Sequence, residues 1–267
     1  MVSVKKFSKY YGTTLAADNV SLELKKGEIT ALVGANGAGK TTLLKAICAM
    51  HFPSPSLSLP SVALSADTYG KITVLGFDIV QDAEKVRALT GYAPEQPALP
   101  LDFTALEFLE LTGKIRFCAC GMQKNAAKTN IKNVIEQCAL GDVLQKKIGA
   151  LSKGYRQRLV LAASLVHNPP VLLLDEPSSG LDPAQIVQLR QTIKAISAEK
   201  TILISTHLMQ EVEALCSNIH IMQNGKIILV GTKNEILKLT KQKTLDDAFL
   251  SLENSPENSM EEKSEKK

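Results

Sequence analysis

The stretch GANGAGKT, from Gly34 to Thr41, limits the fold of this chain more than any other part of its sequence. The apolar run EITALVG before it is typical of a buried strand, and KTTLLKAICAM after it is typical of a helix. A loop of the form G-x-x-x-x-G-K-[ST] between a strand and a helix directs backbone N–H groups and the positive helix end at phosphate oxygens. We therefore expect an α/β fold with a phosphate-binding loop; the alternative is a chance glycine turn.

The residues of this loop have separate predicted roles. Lys40 adds a positive charge for the β- and γ-phosphates of a nucleotide, and the hydroxyl of Thr41 is a suitable ligand for Mg²⁺. The hydroxyl of Thr42 can donate to a phosphate oxygen, and the glycines let the backbone curl with its N–H groups pointing inward. The predicted nucleotide-binding positions of the loop are Gly34, Asn36, Gly37, Ala38, Gly39, Lys40, Thr41 and Thr42.

A second stretch, VLLLDE, supplies two acids at the end of an apolar strand. Asp175 is the predicted ligand of Mg²⁺, together with Thr41, and Glu176 is the predicted catalytic residue that orients or deprotonates an attacking water. Alone, an acid at a strand end could simply cap a neighbouring turn. Its combination with the glycine loop favours a site that hydrolyses a nucleoside triphosphate.

The order of the segments predicts the architecture. Apolar strands alternate with helical segments, which indicates a mostly parallel sheet covered by helices, whereas MVSVKKF and VSLELKKGEI alternate polar and apolar residues as antiparallel strands do. We expect a P-loop NTPase core with an N-terminal antiparallel β-subdomain and a helical insert over about residues 98–158. Residues 1–251 would form one domain, the Pro- and Ser-rich stretch 51–67 a loop, and residues 252–267 a disordered tail.

Charge and composition argue against several other classes. The formal net charge of the 267 residues is only +4 and Lys and Arg are scattered, so no nucleic-acid partner is expected. No apolar run reaches the roughly 18–20 residues that cross a bilayer, and the N-terminus lacks the apolar core of a secretory signal. The five cysteines form no CxxC pair, so we expect reduced thiols.

The turn LSKGY, from Leu151 to Tyr155, resembles the Leu-Ser-Gly-Gly-Gln signature of ATP-binding-cassette (ABC) transporter nucleotide-binding subunits. Lys153 and Tyr155 depart from the signature, whereas Ser152 and Gly154, which contact phosphate in the family, are kept. With the two motifs above, the resemblance covers nearly the whole chain. It implies that two cassettes pack head to tail and that each signature turn covers the ATP held by the other. Ser152 could also act only as the N-cap of its own helix.

Three further positions resemble functional residues of the family. Tyr11, which precedes a glycine in KYYGTTLA, matches the aromatic residue that stacks on adenine, with Tyr10 as the competing candidate. Asp182 in SSGLDP resembles the residue that crosses the dimer interface. His207 in ISTH resembles the switch histidine, which contacts the γ-phosphate and the catalytic acid, so it joins Glu176 as a predicted catalytic residue.

One position departs from the family pattern. The glutamine that senses the γ-phosphate in the family corresponds to Glu95 in GYAPEQPAL, and a shift of one residue would make Gln96 the sensor instead. A carboxylate at this position would attract a metal ion more strongly than an amide but would repel phosphate. Glu95 is therefore included among the predicted nucleotide-binding residues, and the choice between the two stays open.

The resemblance implies a function as well as a fold. It implies an ATPase that uses ATP and Mg²⁺ and belongs to a membrane exporter of the multidrug, sodium, copper or gliding-motility kind. The implied partners are a second cassette, identical or different, and separate transmembrane permease subunits. The implied location is cytoplasmic, on the inner face of the cell membrane. The alternative is a soluble cassette ATPase that acts on ribosomes or nucleic acid.

Overall fold

The computed structural model describes residues 1–54, 70–120 and 124–253, and its strands form two sheets. In chain order the strands are β1 (Val2–Tyr11), β2 (Thr14–Leu24), β3 (Ile29–Val33), β4 (Lys71–Val74), β5 (Phe77–Asp78), β6 (Thr90–Ala93), β7 (Val171–Asp175), β8 (Thr201–Thr206), β9 (Asn218–Gln223) and β10 (Lys226–Gly231). The smaller sheet has the order β2-β1-β4-β5, and the larger has the order β10-β9-β3-β8-β7-β6.

Helices cover the larger sheet and fill the connections between its strands. In chain order the α-helices are α1 (Lys40–Ile47), α2 (Ala83–Leu89), α3 (Ala105–Cys120), α4 (Lys124–Gln137), α5 (Lys153–Leu165), α6 (Pro183–Ser197), α7 (Met209–Leu215), α8 (Lys233–Thr240) and α9 (Leu245–Glu253). Short 3₁₀ turns at Gly141–Val143 and Ile148–Ala150 connect α4 to α5.

The smaller sheet is antiparallel at each of its described pairings, as the alternating sequence predicts. In β1, Val2, Val4 and Phe7 are buried, whereas Lys5 and Lys6 between them are exposed. One face of the sheet therefore packs on the core and the other meets solvent, which is the pattern of half-exposed antiparallel strands.

The larger sheet is parallel except for β10, which pairs antiparallel with β9. Every residue of β3, β7 and β8 is buried, because helices or the smaller sheet cover both faces. In β7, Leu173 packs in the cluster that contains α1 and the smaller sheet, whereas Leu172 and Leu174 pack on the opposite face. Because these strands are parallel, their carboxyl ends lie at one edge of the sheet.

The predicted helical region lies between β6 and β7. Helices α3 and α4 contribute Leu109 and Val134 to the cluster that contains Leu159 of α5, so they share the core on this face of the larger sheet. The fold class is therefore the predicted one: a P-loop NTPase core with an antiparallel N-terminal sheet and a helical insert. The limits of that insert, 98 and 158, stay predictions.

Two sequence predictions fall partly beyond the part of the chain that the structure describes. Most of the predicted loop 51–67 and residues 254–267 of the predicted tail lie outside the described residues, although Leu252 and Glu253 belong to α9. Within residues 1–54, 70–120 and 124–253, each helix is too short or too polar to span a lipid bilayer.

Candidate nucleotide-binding site

The glycine loop connects β3 to α1, as the motif predicts. Gly39 is the N-cap of α1 and has a φ of 102°, a left-handed conformation that side chains disfavour. A Cβ on Gly39 would also overlap the carbonyl oxygen of Ala16. The backbone of the loop therefore runs too close to β2 for any residue other than glycine, and this approach leaves the start of α1 open toward the cleft.

The side chain of Lys40 is buried and curls back over the loop. Its Nζ donates to the carbonyl oxygens of Gly34 at 2.6 Å and Ala35 at 3.1 Å. It also forms an ion pair with Oε1 of Glu176 at 3.3 Å, without the geometry of a hydrogen bond. Lys40 thus links the loop to the acid at the end of β7, so its positive charge lies where a phosphate would enter.

The Asp175 carboxylate accepts hydrogen bonds from hydroxyl groups on three elements: α1, β6 and β8. Its Oδ2 accepts from Thr41 Oγ1 at 2.8 Å and from the Tyr92 hydroxyl at 3.1 Å, and its Oδ1 accepts from Ser205 Oγ at 2.5 Å. Burial and the Asp175 carboxylate raise the pKa of Tyr92 well above its usual value, so Tyr92 remains a hydrogen-bond donor. The carboxylate is therefore fixed in position at the carboxyl end of β7.

The Thr41–Asp175 pair fits the requirements of Mg²⁺. This ion prefers oxygen ligands, keeps several waters, and is held by one or two protein groups together with substrate phosphates. Thr41 and Asp175 offer a hydroxyl and a carboxylate whose oxygens are 2.8 Å apart at the mouth of the loop. Among the described residues, no group of three or more His, Cys, Asp or Glu side chains forms an all-protein metal cage.

Glu176 lies between the predicted switch histidine and the loop lysine. Its Oε2 is 2.8 Å from Nδ1 of His207, on the opposite side from the contact with Lys40. Its backbone N–H donates to both the carbonyl oxygen and the Oγ of Ser205, at 3.0 and 3.1 Å. The carboxylate is buried while the His207 side chain is about half exposed (48%), so the pair connects the inside of the site to its surface.

One cleft of about 330 Å³ brings most of the predicted residues together. It is lined by the predicted residues Tyr11, Asn36, Gly37, Ala38, Gly39, Lys40, Thr41, Thr42, Glu95 and Glu176. Tyr11 lines the cleft, whereas Tyr10 is not among the lining residues. Three other predicted residues form hydrogen bonds to residues that line the cleft: Gly34 to Lys40, Asp175 to Thr41, and His207 to Glu176.

Glu95 occupies the cleft at the position predicted for the γ-phosphate sensor. Its Oε1 is 3.5 Å from Oγ of Ser179, which lies in the loop after Glu176, whereas the neighbouring Gln96 does not line the cleft. Of the two candidates for the γ-phosphate sensor, Glu95 therefore lines the cleft and Gln96 does not, and the role itself stays a prediction.

Three predicted residues lie elsewhere in the chain's own structure. Ser152, Gly154 and Asp182 are not among the residues that line the cleft. Ser152 is the N-cap of α5 and accepts from the backbone N–H of Tyr155 at 3.4 Å. Asp182 is the N-cap of α6 and accepts from the backbone N–H of Gln185 at 2.9 Å.

Gly154 and Gln185 join these two helix starts into one surface, which we call the signature patch: Ser152, Gly154, Asp182 and Gln185. A Cβ on Gly154 would overlap the Gln185 side chain, and Gly154 is buried. The resemblance implies that Gly154 contacts a phosphate, whereas in this structure the Gln185 side chain packs against this residue. The cause is the cap of α6, which brings Gln185 over the start of α5.

Sequence reasoning missed Tyr92 and Ser205, both of which hold Asp175. Each lies at the end of a strand next to β7, in the stretches GYAPEQ and TILIST. A partial sequence signal was present, because each hydroxyl stands one position before the last residue of its strand. To interpret this signal, one has to know that β6 and β8 flank β7, and the sequence pattern does not give that strand order.

A loop lysine that faces a pair of strand-end acids across one cleft is the arrangement of P-loop nucleoside triphosphatases. The family model described as "ABC transporter" matches residues 17–179, which is more than half of the chain. The chain belongs to this family, as an ATP-binding subunit with the cassette fold.

Curated relatives support the same assignment over most of the chain. The "ABC transporter ATP-binding protein NatA" of Bacillus subtilis is 32% identical over 238 residues, which cover 88% of this chain and 89% of NatA. The "Nod factor export ATP-binding protein I" of Burkholderia lata is 32% identical over 238 residues, which cover 89% of this chain and 72% of that protein.

Solved structures have the same fold. An ATP-binding subunit of an ABC transporter superposes with a TM-score of 0.79 at 27% identity, covering 94% of this chain and 99% of the other. A dimeric ATP-binding cassette, solved in a post-hydrolysis state bound to ADP and phosphate, gives a TM-score of 0.74 at 24% identity over 87% of this chain and 98% of the other.

Proposed function

We propose that this chain is the ATPase of a membrane exporter and works as a head-to-tail dimer of cassettes with separate membrane-spanning subunits. The observation that carries the proposal is the position of Glu176, which is buried between Lys40 and His207 and directly follows Asp175. This arrangement places a candidate general base, a phosphate-binding cation and a magnesium-binding pair around one cleft.

Each side chain has a defined role in this proposal. Glu176 accepts the proton of the water that attacks the γ-phosphorus, the bond to the β-phosphate oxygen breaks, and ADP and phosphate leave. Lys40 leaves the carbonyl oxygens of Gly34 and Ala35 and neutralises β- and γ-phosphate oxygens. His207 holds the Glu176 carboxylate through Nδ1 and approaches the γ-phosphate. Thr41 and Asp175 would hold Mg²⁺, which would supply positive charge to neutralise phosphate oxygens.

The base and the sensor complete the nucleotide site. Tyr11 offers an exposed ring at the edge of the cleft, and stacking of a purine on such a ring contributes about 1–3 kcal/mol. Glu95 lines the cleft and contacts Ser179 in the loop that follows Glu176, so it would sense the γ-phosphate and pass its presence to that loop.

The signature patch is the proposed contact to the second cassette. Ser152 and the start of α5 present a hydroxyl and helix N-terminal N–H groups, which suit a phosphate. For a phosphate to reach Gly154, the Gln185 side chain has to swing away, and its flexible end makes this movement inexpensive. Asp182 then lies in the interface between the two cassettes.

Export is the proposed direction of transport, and permease subunits are the proposed partners. One relative is named for export of Nod factor, and export is also what the signature variant LSKGY implies by resemblance. Permease subunits would supply the membrane path, and the chain would sit on the cytoplasmic face of the membrane. The ribosome- or nucleic-acid-acting alternative is not favoured, because the curated relatives reported above are transporter ATP-binding proteins.

The experiment that tests the catalytic assignment is Glu176→Gln. Glutamine keeps the shape of the side chain but cannot accept the proton, so hydrolysis should fall by about a hundredfold or more. Binding of ATP should persist, and the ATP-bound dimer should accumulate. Glu213→Gln is the matched control, because Glu213 is exposed and pairs only with Lys233 at the surface. Hydrolysis by Glu176→Gln at the rate of this control would refute the assignment.

A further inference from the structure

The segment His51–Ser54 lies along the end of β1, next to the nucleotide cleft. The hydroxyl of Tyr11 is 2.5 Å from Nδ1 of His51. Ser54 donates from its Oγ to the carbonyl oxygen of Tyr10 at 3.2 Å and from its N–H to the carbonyl oxygen of Ser8 at 3.4 Å. The chain that leaves α1 is thus fastened at both ends of this short segment to the strand that carries Tyr11.

The neighbours of Tyr11 leave one ring face available. His51 meets the Tyr11 ring edge-on, with ring centroids 5.6 Å apart and planes at 74°. The ammonium of Lys9 lies 5.4 Å from the ring centroid, over the ring. Counting only residues 1–54, 70–120 and 124–253, Lys9 covers one face and His51 holds the edge, so the opposite face is left for a planar ligand in the cleft that Tyr11 lines.

The charge state of His51 suits the hydrogen bond from Tyr11. Burial lowers the pKa of His51, and the nearby positive charges of Lys45 and Lys9 lower it further. The imidazole is therefore neutral at neutral pH, and its Nδ1 can accept the proton of the tyrosine hydroxyl. The bond needs no protonation change to form or to persist when a nucleotide binds.

We propose that His51 is a positioning residue for nucleotide recognition, which holds the Tyr11 ring in the orientation that stacks on a purine base, with Ser54 fixing the segment that carries it. An aromatic side chain that is 44% exposed otherwise samples several rotamers and loses that freedom on binding. A ring that is already fixed loses less conformational entropy on binding, so the Tyr11–His51 pair favours binding of ligands that carry a base. The inference rests on the proposed role of Tyr11.

The test is a double-mutant cycle on the full chain, read out as the Kd for ATP and for inorganic tripolyphosphate, both with Mg²⁺. His51→Ala and Tyr11→Phe should each raise the Kd for ATP about threefold to tenfold. The double variant should be no worse than either single variant, because each removes the same bond. Tripolyphosphate has no base, so its Kd should not change in any of the three.

A conservative variant separates positioning from a general structural effect. His51→Asn places an amide oxygen near the position of Nδ1. It should recover at least half of the affinity for ATP that His51→Ala loses. Additive effects of the two single changes, or an equal loss for tripolyphosphate, would overturn the proposal. Tyr11→Ala separates the stacking role of Tyr11 from the positioning role of His51. If it leaves the Kd for ATP unchanged, the base-stacking role itself is wrong. If it weakens ATP while His51→Ala does not, only the role of His51 is wrong.

Discussion

The cleft and the signature patch differ in how completely one chain builds them. In the cleft, side chains from α1, β6, β7 and β8 bond directly to one another, with Asp175 and Glu176 at the centre. In the signature patch, Ser152 and Asp182 bond only to the first turns of their own helices. Within one chain, the cleft is therefore a connected set of side chains, whereas the signature patch consists of two capped helix starts that touch each other only through Gly154 and Gln185.

The same loop connects the two regions. Residues 176–182 begin at Glu176 in the cleft and end at the cap of α6 in the signature patch. A change in the position of Glu176 would therefore reach Asp182 through one short segment, so we expect a ligand in the cleft to affect the signature patch.

The largest expected effect concerns the backbone of the cleft. Gly39→Ala should abolish nucleotide binding, a loss of about a hundredfold or more, because a Cβ there overlaps Ala16 and φ is 102°. Gly37→Ala is the control: its φ is 84°, but no atom lies within 4 Å of the added Cβ, so only conformational strain of about 1–2 kcal/mol remains. Titration with a fluorescent ATP analogue measures the Kd of both variants. Equal losses of affinity would show that the overlap of the added Cβ with Ala16 does not determine binding.

The next effect separates the signature patch from the cleft. Ser152→Asp keeps a good N-cap for α5 but adds a negative charge, so it should leave ATP binding to the monomer intact and weaken the ATP-bound dimer about a hundredfold. Ser152→Asn caps equally well without the charge and should weaken the dimer much less. Sedimentation in the Glu176→Gln background measures dimer formation. A dimer that tolerates aspartate as well as asparagine would place Ser152 far from any phosphate.

The smallest effect concerns Glu211 of α7, which packs against Ser178 in the loop between the two regions. Glu211 is fully buried, its carboxyl faces Thr206 and Ser178, and neither oxygen makes a hydrogen bond of standard geometry. Burial raises the pKa of Glu211, so the fold favours its protonated form, and the free energy of unfolding falls as the pH rises above the unfolded value. Glu211→Gln removes this cost and should raise Tm by a few degrees at pH 8 but hardly at pH 5.

Glu213→Gln serves as the control for that experiment as well. Glu213 lies two positions further along α7 and is exposed, so its replacement should leave the pH dependence of Tm unchanged. If Glu211→Gln gave the same Tm shift at both pH values, the buried carboxyl would not be the source of the pH dependence.

The sequence predicted the cleft well, because its residues follow local patterns. The phosphate-binding loop is contiguous, and Asp175, Glu176 and His207 each come directly after an apolar strand, so strand ends alone indicate them. Tyr92 and Ser205 could not be predicted, because their role depends on which strands neighbour β7. The contact of His51 with Tyr11 joins positions 40 residues apart, and periodicity in the sequence does not predict a contact of this kind.

The signature patch was predicted less fully for the same reason. Ser152 was recognisable as a candidate N-cap and Asp182 through the family resemblance, and both are N-caps in the structure. The cover of Gln185 over Gly154 depends on the packing of α6 against the start of α5, which is a tertiary contact. Sequence therefore predicts what a local segment can bind, and the structure is needed to show which surfaces are already occupied.

A mixing experiment tests most directly whether the cleft of one chain is completed by the signature patch of another. Lys40→Ala and Ser152→Asp chains should each be inactive as ATPases alone. If sites form between chains, a mixed dimer pairs one intact loop with one intact patch, and an equal mixture should recover about a quarter of the wild-type rate. A mixture that stays as inactive as its components would contradict the shared site and require each chain to act within itself.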